Sequence, residues 1–208
     1  IGVYNSFDEI DFDSLPDQFV LKPNHTSGDV YICKDKSKID YISLKKEVNI
    51  WLKRRYYWVH REWCYKNIKP RIICEKYMVD ESGSDLKDYK LMSFNGQVKC
   101  SFVCLNRHSE NGLNVNFYDM NWNSMPFERL YPRSESFIPK PKNFYKMVAL
   151  AEKLSEKIPF LRVDFYEING ELYFGELTFF PGSGFEKFTP EEYDYNLGRW
   201  INTLSIKI

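Results

Sequence analysis

The stretch LRVDFYEI (161–168), NG (169–170) and ELYFGELTFF (171–180) decides how this chain is read. Two β-rich runs flank an Asn-Gly pair that readily takes the positive φ angles of a tight turn, so the segment is a β-hairpin. Its strands should be apolar, yet Arg162, Asp164, Glu176 and Thr178 stand among Leu161, Val163, Phe165, Leu177 and Phe179. Side chains two apart share a face, which groups Arg162 with Asp164 and Glu176 with Thr178. Register decides whether the two pairs share one face. A two-residue loop at Asn169 and Gly170 pairs Ile168 with Glu171 and sets even positions against odd ones. A three-residue loop, Ile168 to Gly170, with Gly170 as the left-handed bulge residue, pairs Glu167 with Glu171 and puts Arg162 opposite Glu176. The second register is the expectation, because it lines all four polar residues on one face and packs Val163, Phe165, Leu177 and Phe179 on the other. Such a face offers hard oxygen ligands for Mg²⁺ beside a guanidinium that can hold a phosphoryl oxygen. It could equally be an ion-pair network ordering a solvated sheet face, and the hairpin alone leaves both open.

Upstream, DYKLMSF (88–94), Asn95-Gly96 and QVKCSFVCL (97–105) form a second hairpin of the same kind. FVLK (19–22) and VYIC (30–33) are short strands around the turn-forming run PNHTSGD. A strand that ends in Lys22 and opens into a small polar loop can grip a phosphate through loop N–H groups and the lysine charge, although an ordinary hairpin reads the same way. Residues 71–74 resemble a buried strand. Helical spacing of Leu44, Val48, Trp51, Leu52 and Arg55 predicts a helix over about 43–57, and Phe144, Met147, Val148, Ala151 and Leu154 predict another over about 143–157. Residues 106–142, rich in Asn, Ser, Pro and aromatics, lack periodicity and are expected to form a long irregular insertion. Thr189 and Glu192 fit a capping box for a last helix with Pro190 in its first position. Strand pairs mixed with helices make the fold class α+β.

The bulk composition sets limits. The 208 residues, 43% hydrophobic and 17% aromatic, can build one large domain or two small lobes. Their 29 basic and 29 acidic side chains cancel, so no global field recruits nucleic acid or a membrane surface, which leaves room only for a local cationic cleft. No apolar run approaches the ~20 residues of a transmembrane helix, and the acidic start is unlike a signal peptide. The expected setting is soluble and cytoplasmic. Five cysteines without a paired CxxC framework and three histidines argue for reduced thiols rather than zinc.

Taken in order, LPDQFVLKPNH, KPRIICEKYM, DYKLMSFNG, RVDFY and FGELTFFPGSG resemble the successive nucleotide-binding elements of the ATP-grasp superfamily. More closely, the set resembles the TupA-like ATP-grasp family, associated with teichuronopeptide and capsular polysaccharide assembly. The resemblance implies two α+β lobes that grip ATP between antiparallel sheets, here residues 1–79 and 80–208. It implies that Lys22 binds ATP phosphates under the loop holding His25, Ser27 and Gly28, that Glu75, Lys76, Tyr77 and Met78 form a hinge against adenine, and that Asp88 meets the ribose. Arg162 would join Lys22 in steadying the transferred phosphoryl group, while Asp164, Glu176 and Thr178 would hold Mg²⁺. Thr178 departs from the Asn common at that place. His25, Lys90, Arg107 and Ser183 are candidate substrate contacts. Only 21 residues precede Lys22, so the N-terminal lobe usual in these enzymes is expected to be missing, with part of the acceptor site in that lobe or in a partner of polysaccharide assembly.

The resemblance implies ATP-dependent formation of an amide, through an acyl phosphate, between a uronic acid carboxylate and an amino acid or amino alcohol. A metal-dependent glycosyltransferase using Asp164 and Glu176, or a non-catalytic nucleotide- or glycan-binding module, are the alternatives. The first of these leaves Lys22 and the EKYM run without a role.

Overall fold

The computed structural model of the chain describes residues 1–79, 86–105 and 112–202. It divides into two units, Ile1–Met78 and Val79–Ile208.

In the first unit, strands β1 (Gly2–Tyr4), β2 (Phe19–Pro23), β3 (Tyr31–Cys33) and β4 (Ile72–Lys76) form an antiparallel sheet in the order β1-β4-β2-β3. Alternation along β2 and β4 turns Phe19, Leu21, Ile72 and Cys74 to one face, where they are buried with Leu44, Val48 and Trp51 of helix α1 (Tyr41–Lys53). Burial of large apolar side chains at roughly 1.5–3 kcal/mol each is what holds the helix on the sheet. Asp40 starts α1 by accepting from the backbone N–H groups of Ile42 and Ser43. The helix ends at Lys53, earlier than its apolar periodicity suggested, and a short helix α2 (Tyr56–His60) follows.

In the second unit, β5 (Asp88–Phe94), β6 (Gln97–Leu105), β7 (Asn114–Tyr118), β9 (Phe160–Ile168) and β10 (Glu171–Thr178) build an antiparallel sheet in the order β10-β9-β5-β6-β7, and β8 (Glu128–Arg129) pairs with β11 (Phe188–Thr189). Both faces of the central strand β5 are buried. Helix α3 (Phe144–Leu154) covers one face through Met147 and Ala151, which meet Leu91, Leu161, Val163 and Phe165. On the other face Phe102 and Phe117 join Phe127 and Leu197, the latter from α4 (Glu192–Gly198).

Two expectations need correction. The insertion is not structureless, because Asn114–Tyr118 extends the main sheet and Glu128–Arg129 forms a small strand. The capping box at Thr189 is absent: Thr189 pairs with Glu128 in the small sheet, and Glu191 takes the cap position of α4 without a side-chain bond. Strand pairing thus outcompetes the local helix signal. All five cysteines are thiols rather than disulfide partners, and four are buried; complete burial pushes the Cys100 thiol up to about 12. No helix among the described residues is long and apolar enough to cross a membrane.

Candidate functional site

The hairpin of β9 and β10 reaches the required register by a route different from the three-residue loop. Asn169 (φ 53) and Gly170 (φ 83) form a two-residue turn that pairs Ile168 with Glu171, so even positions begin opposite odd ones. Between Phe174 and Leu177 the register shifts, after which Leu177 faces Val163 and Thr178 faces Arg162. The bulge therefore lies at Gly175 and Glu176, not at Gly170, and Arg162 opposes Thr178 rather than Glu176. Gly175 is there because of close approach: a Cβ on it would lie 3.0 Å from the Asp164 carbonyl oxygen and 3.2 Å from the Tyr166 ring. The neighbouring hairpin repeats the device, with a two-residue turn at Asn95 and Gly96 and a shift between Met92 and Ser93. The glycine inside an otherwise regular strand is the one local signal that could have pointed to the first bulge, which the sequence reading placed at Gly170 instead.

The outcome is a line of charges of alternating sign across one sheet face. Lys90 on β5 stands directly opposite Asp164 on β9 and binds both it and Asp88, the latter at 2.6 Å. Arg162 donates from Nε to Asp164 Oδ1 and from Nη2 to Oδ2, each at 2.7 Å, and the same Nη2 reaches Glu176 Oε1 at 2.6 Å. Thr178 Oγ1 donates to that Glu176 oxygen at 3.0 Å. The line runs from an Asp164 side chain 1% exposed to a Glu176 side chain 60% exposed. Burial alone would raise the Asp164 pKa, but Lys90 and Arg162 outweigh it and hold the carboxyl below its ordinary value. Burial likewise opposes the charge on Arg162, and Asp164 and Glu176 more than restore it, so its pKa is raised. Asp164 and Arg162 are therefore fixed as ions throughout the neutral range.

A second guanidinium, missed in the sequence, borders this line. Arg129 lies 4.7 Å from the centroid of Phe102, a ring that Arg162 approaches at 5.9 Å, and its Nε is 3.0 Å from Glu186 Oε2. Burial lowers the Arg129 pKa, Glu186 partly offsets this, and Arg162 adds like-charge repulsion. Glu186 is tucked beneath Gly182, where a Cβ would meet its side chain at 2.2 Å. The turn Pro181–Gly184 carries Ser183 and has positive φ at Gly182, Ser183 and Gly184. A cavity of about 370 Å³ opens beside it, lined among others by Glu128, Gly182, Glu186 and Lys187. Nothing in a two-residue strand inside an aperiodic insertion marked Arg129 beforehand.

In the first unit, Lys22 and Glu75 form an ion pair at 2.8 Å on the sheet face away from α1. The loop after β2 is tied down: Thr26 Oγ1 donates to Asp29, and Arg54 Nη1 holds both oxygens of Asp29. Ser27 is exposed and Gly28 has φ 87 with open space about it. His25 points inward instead, 4% exposed, with Nε2 3.1 Å from the Trp51 carbonyl oxygen. Glu75 and Lys76 close β4, and Tyr77 and Met78 follow at the end of the unit, with Lys34 6.0 Å from the Tyr77 ring centroid. Arg107 lies outside the described residues.

The donor chemistry of Asp164, Glu176 and Thr178 suits a hard divalent cation. Among the described residues, however, no three His, Cys, Asp or Glu side chains cluster as metal ligands. The position between the two carboxylates is spanned by Arg162 Nη2, so a cation shared by them would stand where that guanidinium nitrogen now balances both charges.

Solved structures similar to this chain include the D-alanine–D-alanine ligase of Bacillus anthracis complexed with ATP, at 18% identity and a TM-score of 0.44 over 83% of this chain and 44% of the other. The D-alanine–D-alanine ligase of Helicobacter pylori follows at 16% identity and 0.40, over 85% and 45%. D-cycloserine synthetase stands at 17% and 0.39, over 77% and 47%. The chain thus spans about half the length of the solved structures it matches. No curated protein matches it. The sequence model of the TupA-like ATPgrasp family covers residues 1–202, nearly the whole chain, and with its α+β architecture and antiparallel sheets the chain belongs to the TupA-like ATP-grasp family.

Proposed function

We propose that this chain catalyses ATP-dependent joining of a carboxylate to an amine, through an acyl phosphate. The observation that carries the reading is the Arg162 guanidinium clamped between Asp164 and Glu176 on a sheet face whose far end, at Glu176, is open to solvent. Membership of an ATP-grasp family supplies ATP as the phosphoryl donor. A substrate carboxylate oxygen attacks the γ-phosphorus, ADP leaves, and an acyl phosphate forms. The neutral amine then attacks the acyl carbon, loses a proton, and displaces inorganic phosphate.

Arg162 neutralises the oxygens of the transferred group, and its raised pKa keeps it cationic throughout. Lys22 supplies charge to the ATP phosphates, with backbone N–H groups of the Ser27 and Gly28 turn on the same anion. The strand end at Glu75 to Met78 lies along the adenine. Lys90, which binds both Asp88 and Asp164, keeps the Asp164 carboxylate in place, and His25 anchors its loop to α1. Asp164, Glu176 and Thr178 would hold Mg²⁺, which when bound would supply charge neutralisation to the nucleotide phosphates. Ser183 and the cavity beside Glu128 and Glu186 receive the amine. The carboxylate is a uronic acid of a bacterial surface polysaccharide or its precursor and the amine an amino acid or amino alcohol, a choice supported by the family's association with such polymers.

A coupled assay for ADP tests this. ADP release should require both a uronic acid and an amine, and Arg162→Ala should lower kcat about 10²–10³-fold. Consumption of a nucleotide sugar without ATP would overturn the reading in favour of glycosyl transfer.

A further inference from the structure

The first unit carries a surface feature that the nucleotide chemistry does not use. After α1 the chain reads RYYWVHREWCYKNIKPR from Arg55 to Arg71. Trp58, Val59 and Trp63 are 61%, 70% and 63% exposed, an unusual display for large apolar side chains so close in sequence. The two indoles are joined through Tyr57, whose ring meets Trp58 edge-on at 5.3 Å and Trp63 at 6.1 Å, and Val59 follows Trp58 in α2. Arg55, Arg61, Lys66, Lys69 and Arg71 stand exposed in the same segment, whereas its one acidic residue, Glu62, is buried.

The cations are built into the aromatic cluster. Arg61 lies 4.8 Å from the Trp58 centroid and Lys66 4.0 Å from that of Trp63, and both stand about 6 Å from Tyr57. This arrangement chooses among anionic partners. A nucleic acid or a charged glycan would use open indole faces for stacking, and here one face of each indole already carries a cation. The exposed Val59 also gains nothing from a purely ionic ligand. A lipid surface uses every part: indole rings and a valine settle at the boundary of headgroups and acyl chains, while arginine and lysine remain level with the phosphates. The patch is local, in a chain whose charges cancel overall.

We propose that Trp58, Val59 and Trp63, with Arg61 and Lys66 against their rings and Arg55, Lys69 and Arg71 exposed in the same segment, form a docking surface for an anionic lipid bilayer. Binding is peripheral, with electrostatic attraction and shallow apolar insertion acting together.

Vesicle flotation with the full chain tests it, using phosphatidylcholine alone or mixed with phosphatidylglycerol. The protein should float with the mixed vesicles about tenfold or more better than with neutral ones and release in high salt, as charge-assisted binding requires. Trp58→Ala with Trp63→Ala should weaken binding about tenfold and abolish the blue shift of tryptophan fluorescence on vesicle addition. Arg61→Glu with Lys66→Glu, on exposed side chains, provides a second route if the tryptophan variant does not fold, and should lose flotation while the far-ultraviolet spectrum is kept. Equal binding to neutral and anionic vesicles, no flotation at all, or capture by a polyuronate or DNA with vesicles ignored would overturn the proposal.

Discussion

Asp164 holds together the charged face of the second unit, since Lys90 and Arg162 both depend on it and it is almost wholly buried. Removing one partner from such a group leaves the others in low dielectric without compensation, so Asp164→Asn should cost about 3–5 kcal/mol in urea unfolding. Proton linkage gives an independent check. The folded pKa of Asp164 lies below its reference value of 3.8, so its contribution is complete above about pH 4 and is lost as pH falls through the lower, folded value. Wild type should show this acid limb in a plot of stability against pH, and the Asn variant should lack that component. An unchanged acid limb would mean that Asp164 is not held as an ion by Lys90 and Arg162. The charges themselves were visible in the sequence, since Arg162, Asp164, Glu176 and Thr178 interrupt apolar strands. Arg129 was not visible, because its place beside Phe102 depends on a small sheet formed by β8 and β11, residues far apart in the chain.

At the level of elements, the site depends on one strand irregularity. The Asn169 and Gly170 turn alone would set Arg162 and Glu176 on opposite faces, and the bulge at Gly175 and Glu176 restores them to one. The two glycines should therefore respond differently. Gly170→Ala burdens a residue at φ 83 and should cost about 1 kcal/mol while leaving the turnover of ADP-forming assays intact. Gly175→Ala presses a methyl group on the Asp164 carbonyl and should both destabilise by about 1–3 kcal/mol and reduce turnover, because Glu176 must move with it. Equal effects on turnover would argue that the register is fixed elsewhere. Both Asn-Gly turns were legible from local chemistry. The bulge was not, because Gly175 declares its role only when β9 lies beside it. The same reason explains Thr189, whose helix-cap chemistry is overridden by pairing with Glu128.

For the whole molecule, family membership and fold agree with the order of the sequence motifs, which run from the Lys22 strand to the Glu176 strand. Net charge concealed more than it revealed: a neutral total is compatible with a cationic aromatic surface in one unit and a line of paired ions in the other. The central claim concerns chemistry, that phosphate passes from ATP to a carboxylate before an amine displaces it. Transfer of heavy oxygen tests this most directly. A uronic acid labelled with heavy oxygen in its carboxylate is incubated with the chain, ATP, Mg²⁺ and an amine, and the released phosphate is analysed by mass spectrometry. Acyl-phosphate chemistry predicts one labelled oxygen in each phosphate formed with amide; ATP consumed with amide formed but label absent from phosphate would contradict it.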